Sequence, residues 1–349
     1  MPKEFTTITY LPALAALMLC VGCGGDRMQP ARTPTNPLAN ASGVASGPIF
    51  DGWWDSESNG LRLEYGIPGA IHQGAIAYND GTYSSATVCM RGNIALLQSP
   101  SGKLFQAQLP QGTPIPIEGA IIVKPLVVFS PSCSWAVASA ASGSTGVVMQ
   151  GVNSNPRVLR ISLPAGTSVL AVSDKGSVLL GSTGSDGSSM VQLLPYGSGS
   201  LKQVITLSKL GGAAFVPGDE SVLLADAGAN TVIEATQITA DMSLIRLAGP
   251  ADGVDKPLAV GVSADGRSAA VANGAGSKII RIDISGQTAA VQTLCRCTPS
   301  ELVAQAGNLS FRLNEAGAGT IWSFDGDAST PRTVFVPSQQ VIASPGAHR

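Results

Sequence analysis

The side chains that carry most acid–base and metal chemistry near neutral pH are scarce in this chain. Its 349 residues include two histidines, His72 and His348, and imidazole is the one side chain whose ordinary pKa lies in that range. Six cysteines are the other reactive resource: Cys20 and Cys23 near the start, then Cys89 and Cys133, then Cys295 and Cys297 separated by one residue. Acidic pairs stand in Asp252-Gly253-Val254-Asp255 and Phe324-Asp325-Gly326-Asp327, but two carboxylates without further oxygen ligands make a turn more readily than a calcium loop. The sequence holds no phosphate-cradling Gly motif, EF-hand loop or GxSxG elbow. It therefore nominates no catalytic residue, no metal site and no cofactor.

A recognition site is easier to nominate. The segment Ile67 to Ser84, IPGAIHQGAIAYNDGTYS, reads as a long link holding His72, Gln73, Tyr78, Asn79, Asp80 and Tyr83. Long links on rigid scaffolds tend to carry binding. Tyrosine stacks on sugars or anchors protein partners, while the amide and carboxylate supply directed hydrogen bonds. The competing expectation is a link that only covers its sheet or plugs a channel.

The elements that position these residues follow from composition. Charged residues make up 13% of the chain, about half the usual share, against 44% apolar residues, 41 Gly and 23 Pro. That balance starves solvated helix faces and suits short strands joined by tight turns. A net charge of −2 leaves no basic footprint for nucleic acid.

The first 22 residues, with Lys3 in a short polar start and an apolar run from Ile8 to Val21, have the form of an export signal. Cys20-Val21-Gly22-Cys23-Gly24-Gly25 resembles the lipobox of bacterial lipoproteins, although Cys20 stands where Leu is usual. The resemblance implies lipidation at Cys23 and, with Gly24 following, residence at the outer membrane, facing periplasm or cell surface. Residues 23–47, rich in Pro, Gly, Ser, Ala and Asn, read as a flexible tether.

The rest is a repeat. Taking the last apolar residue before a recurrent turn as anchor gives Val88, Phe129, Val172, Val216, Val262 and Val303, with a mean spacing of 43 residues. A Gly-rich loop follows the second strand of each unit, as in Ser99 to Gly102 and Asn273 to Gly276. A period of that length with four strands per unit is the mark of a β-propeller blade. VSADGR, ANGAGSKIIRID and ADAGANTVIEA resemble the YVTN and NHL-like propeller repeats of exported bacterial proteins. The fold expected is an all-β propeller over residues 48–343 with a tail at 344–349. Seven four-stranded antiparallel blades are preferred to six, with Ile49–Trp54 and Leu61–Tyr65 as the outer strands of a blade that a strand around Val341 completes. Trp53, Trp54, Trp135 and Trp322 are expected between blades.

That arrangement sets Cys89 and Cys133 on adjacent blades, in reach of a disulfide. Cys295 and Cys297 fall on an outer strand, where extended backbone would hold their Cα atoms about 6.6 Å apart, near the limit for a bridge. A structural bridge and a redox role both remain open there. Lys124, Asp255, Lys256 and Glu301 are expected as solvated rim residues. The function expected is a non-catalytic binding or scaffolding module for an envelope protein or glycan, with a metal-dependent propeller hydrolase, or a structural subunit of an envelope assembly, as rivals.

Overall fold

Apolar runs of five or six residues, punctuated by Gly, Asn and Asp turns, fold into strands along the whole domain. In the computed structural model, residues 47–336 are described, apart from 141–143, 219, 287 and 317–319. The expected export signal, Cys23, the expected tether as far as residue 46, the strand expected around Val341 and the tail after it lie outside the described residues. Seven antiparallel sheets form a β-propeller. Six sheets have four strands each, and their inner strands are Ser85–Cys89, Pro125–Phe129, Thr167–Val172, Leu210–Phe215, Pro257–Val262 and Val303–Ala304. We number these blades 2 to 7. All six inner strands end on one face, the upper face, in a short turn.

Blade 1 departs from the expectation. Its described strands are Ile49–Asp55, Gly60–Ile67 and Ala70–Ala77, paired in that order. Ile49–Asp55 begins at the upper face, where the Phe50 carbonyl accepts the Ala306 N–H of blade 7 (2.9 Å). It therefore runs against the inner strands and holds the place of a second strand. Ile49–Trp54 and Leu61–Tyr65 are thus second and third strands, and the outermost is Ala70–Ala77, inside the segment read as a long link. Gly74 makes that strand possible, because a Cβ there would meet the Tyr65 ring.

Seven buried apolar clusters occupy the seams between neighbouring blades. At the seam of blades 2 and 3, for example, Ile94, Leu96 and Leu104 pack on Ala136, Val147 and Met149. Each fully buried aliphatic side chain of this size contributes about 1.5–3 kcal/mol. Trp135 of blade 3 lies over the blade 4 turn at Gly176, where a Cβ would strike its ring and φ is +85°. At the blade 7–blade 1 seam, which borders residues 317–319 and 337–349 outside the described ones, the described buried members are Trp53, Ile321 and Val336.

Polar groups also lie in that seam. Arg312 Nη1 donates to both oxygens of the fully buried Asp51 (3.2 and 3.1 Å), and its Nε donates to Glu301 (3.4 Å). Gln305 Nε2 donates to Asp51 Oδ2 and to Ser323 Oγ, both at 2.9 Å. Burial works against the charge on Arg312, but Asp51 and Glu301 hold its pKa above the ordinary value. Glu301 is therefore a member of the joint rather than a free rim residue.

Glu64 is fully buried beside this group, and burial, helped by Asp51, raises its pKa to about 8 against the pull of Arg312 and a Gln73 hydrogen bond. In the unfolded chain it loses its proton near pH 4.5, whereas in the folded chain it keeps it to about 8. Stability is thus full below the lower value and declines as pH rises through the higher, each unit being worth about 1.4 kcal/mol. The melting temperature should fall between pH 5 and pH 8.5, and Glu64→Gln should remove a large part of that fall; superimposable profiles for the two proteins would contradict this assignment.

Candidate functional site

The inner strands surround a channel of about 340 Å³. Each is the end strand of its sheet, so the wall consists of open backbone edges and of side chains such as Val88, Val127, Leu170, Val260 and Val303. Among the described lining residues Arg91 alone carries a charge. It also lines a wider recess of about 550 Å³ on the upper face, with Asn93, Ser132 and Gly307.

Local sequence explains how Arg91 gets there. The blade 2 inner strand ends at Cys89 and continues into the 3₁₀ turn Met90–Gly92, which closes with Asn93 in the left-handed conformation at φ +48°. This turn projects Arg91 over the channel mouth. Its Nη2 donates to the Val262 carbonyl of blade 6 (2.6 Å). The guanidinium thereby bars the neck between recess and channel, and its buried Nε has no hydrogen-bond partner.

Three carboxylates act on this cation. Burial lowers the pKa of Arg91, and Asp174, Asp265 and Asp327 push it back up without fully offsetting the loss. All three also brace the upper face. Asp174 accepts the N–H and hydroxyl of Ser132 (2.8 and 2.6 Å) and the N–H of Gly218 (2.9 Å), so one side chain of blade 4 fastens blades 3 and 5. Burial pushes its pKa up, but these hydrogen bonds prevail and hold it below the ordinary carboxylate range. Asp327 accepts the N–H groups of Asn308 and Leu309, both at 2.9 Å, while Asn308 Oδ1 accepts the Asp265 N–H (2.9 Å). Arg91 and Arg267, which also acts on Asp265, face three carboxylates, so the mouth keeps a slight negative excess, favourable to a ligand that brings a positive charge or several donors.

The residues nominated from sequence do not converge. His72 and Gln73 lie on the outer strand Ala70–Ala77, where His72 stacks on Tyr65 with ring centroids 5.9 Å apart. Asn79 and Asp80 are exposed beyond the other end of that strand, about 20 Å from His72 at the usual strand rise. Asp80 receives the Thr82 N–H (2.9 Å) as a turn former. Both tyrosines face inward. Tyr83 is buried, edge-on to Phe105 (5.4 Å), and Tyr78 donates its hydroxyl to the Gly112 carbonyl (2.8 Å) while meeting Tyr83 edge-on (6.2 Å).

The cysteines are paired as Cys89–Cys133, with Cα atoms 5.9 Å apart, and Cys295–Cys297, at 5.0 Å. The second pair lies just past the outer strand Val291–Leu294 rather than on it, and the bent backbone there explains a separation shorter than extended chain allows. Among the described residues no three His, Cys, Asp or Glu side chains gather as a metal-ligating group.

No family model matches the chain, and no curated protein matches its sequence. Among solved structures it is similar to a functionally unknown protein from Desulfotomaculum acetoxidans, at 13% identity, covering 82% of this chain and 94% of that one with a TM-score of 0.55. It is also similar to a streptogramin B lyase, at 14% identity, covering 80% and 87% with a TM-score of 0.51. At such identities the shared property is the propeller fold.

Inward-facing tyrosines predict a stability effect where a binding effect had been expected. Tyr83→Ala should cost about 3 kcal/mol by removing a packed ring, measured by urea unfolding, and a change below about 0.5 kcal/mol would show that the ring is not part of the core.

Proposed function

We propose that this chain is an exported, lipid-anchored binding module of the cell envelope, non-catalytic, whose upper face and channel mouth receive a protein or glycan partner. The observation that carries this reading is the channel lining, mostly apolar, with Arg91 as its single charged group among the described residues. Propeller hydrolases converge several carboxylate, amide or imidazole groups on the channel. Here the nearby carboxylates Asp174, Asp265 and Asp327 are engaged by backbone amides or hydroxyls, and His72 lies on an outer strand. An enzymatic reading suggested by the likeness to a streptogramin B lyase therefore has less support. The negative mouth favours a protein partner that presents a basic side chain.

The attachment belongs to the same proposal. Lipid at Cys23 and the following Pro, Gly and Ser-rich tether would hold the propeller at the membrane by its N-terminus.

Affinity purification of the full-length chain from crosslinked membranes tests both parts. The wild type should retain a defined envelope partner, and Asp265→Asn, which removes one carboxylate facing the basic partner, should reduce retention about tenfold, the worth of one charge-assisted hydrogen bond, whereas Arg91→Ala should leave retention undiminished. Cys23→Ser should move the protein to the soluble fraction. Metal-dependent turnover of lactones or esters with added Ca²⁺ or Mg²⁺, or undiminished membrane retention of the Cys23 variant, would overturn the corresponding part.

A further inference from the structure

The two disulfides do different physical work. Cys89–Cys133 spans a sequence separation of 44 and fastens the inner strand of blade 2 to the first turn of blade 3, with Cys133 fully buried. A bond closing so long a loop restricts the unfolded chain strongly. Cys295–Cys297 spans a separation of 2. The ends of so short a segment are already close in the unfolded chain, so the bond removes little conformational freedom. It also joins no two blades, since both residues belong to the connection that leaves blade 6.

Its two sulfurs are placed unequally. The Cys295 N–H donates to the Ser277 carbonyl (2.8 Å), and the side chain is 6% exposed within the seam of blades 6 and 7. Cys297 is only partly buried, and Arg296 between them is exposed. A cation beside a cysteine favours the thiolate form that carries out exchange. Cys295 is thus buried in the seam, while Cys297, which also packs against it, is the more solvent-accessible sulfur, with the exposed Arg296 next to it in sequence.

We propose that Cys295–Cys297 is a thiol–disulfide exchange site that accepts electrons from an exported dithiol. A thiolate of the incoming dithiol attacks Cys297 Sγ; a new S–S bond forms there, the bond to Cys295 breaks, and Cys295 leaves with the electron pair and takes up a proton. The second thiolate of the same dithiol attacks the first one's sulfur, closing its own disulfide and releasing Cys297, which is protonated in turn. Two electrons pass from the dithiol to the cysteine pair, and the two protons lost by the dithiol are matched by two gained on Cys295 and Cys297. This assignment is independent of the channel mouth and its partner.

The test uses the folded full-length protein incubated with rising dithiothreitol, blocked with iodoacetamide and read by peptide mass spectrometry. Cys295 and Cys297 should be alkylated together at dithiothreitol concentrations at least tenfold below those that open Cys89–Cys133, with the circular dichroism spectrum unchanged. A second arm exposes each protein to glutathione disulfide: Cys295→Ser, which frees Cys297, should take up glutathione, and Cys297→Ser, which frees the buried Cys295, should not. A Cys295–Cys297 bond that resists the dithiol until denaturant is added, or equal glutathione uptake by the two variants, would overturn the proposal.

Discussion

A ring of repeats depends on the joint where its last blade meets its first. Six seams of this propeller join blades that are consecutive in the chain, and apolar packing serves them. At the seventh, residues separated by more than 250 positions must find each other, and the decisive contact is Arg312 on the buried Asp51. Among the described residues, the charged contacts of Arg312 lie beside the buried Trp53, Ile321 and Val336 at this joint. A buried ion pair adds little net stability over an apolar substitute, yet losing one partner strands the other charge at a cost of about 3–5 kcal/mol. Such a pair specifies which surfaces meet. Glu64, held protonated by burial beside Asp51 up to about pH 8, makes the stability of the same joint fall as pH rises from about 5 to about 8.

The upper face extends the same economy of charge. Asp174 holds turns from the blades on both sides of its own, and Asp265 and Asp327 meet at Asn308. Asp174 ties together the turns of blades 3, 4 and 5, Asn308 links those of blades 6 and 7, and all three carboxylates shape the field in which Arg91 bars the channel. Structural bracing and the candidate binding surface are therefore made of the same residues. A partner approaching this face would meet a rigid mouth, which lowers the ordering cost of binding.

Much of the fold was legible because each blade repeats the same turn chemistry. The anchors Phe129, Val172 and Val262 coincide with the last residues of inner strands, and Val88, Val216 and Val303 fall within one residue of them. Ala70–Ala77 was hidden because AIHQGAIA lacks β-branched alternation and carries a central Gly, which only the Tyr65 ring explains. Arg91 was hidden for a different reason. Lys175, Glu220 and Arg267 occupy comparable turns, and nothing in a single sequence tells which of these side chains reaches across a channel. The pairing of Asp51 with Arg312 was likewise invisible, since a charge in a strand reads as solvent-facing until the fold buries it. The tyrosines of the supposed link illustrate the converse, as rings suited to recognition serve equally to fill a seam.

The joint is open to direct measurement by a double-mutant cycle on urea unfolding with Asp51→Asn, Arg312→Met and the combined protein. If Arg312 on Asp51 holds the ring closed, the single changes should be strongly non-additive, with a coupling of about 2 kcal/mol or more. Additivity within about 0.5 kcal/mol would contradict the account, because independent sites add to that precision.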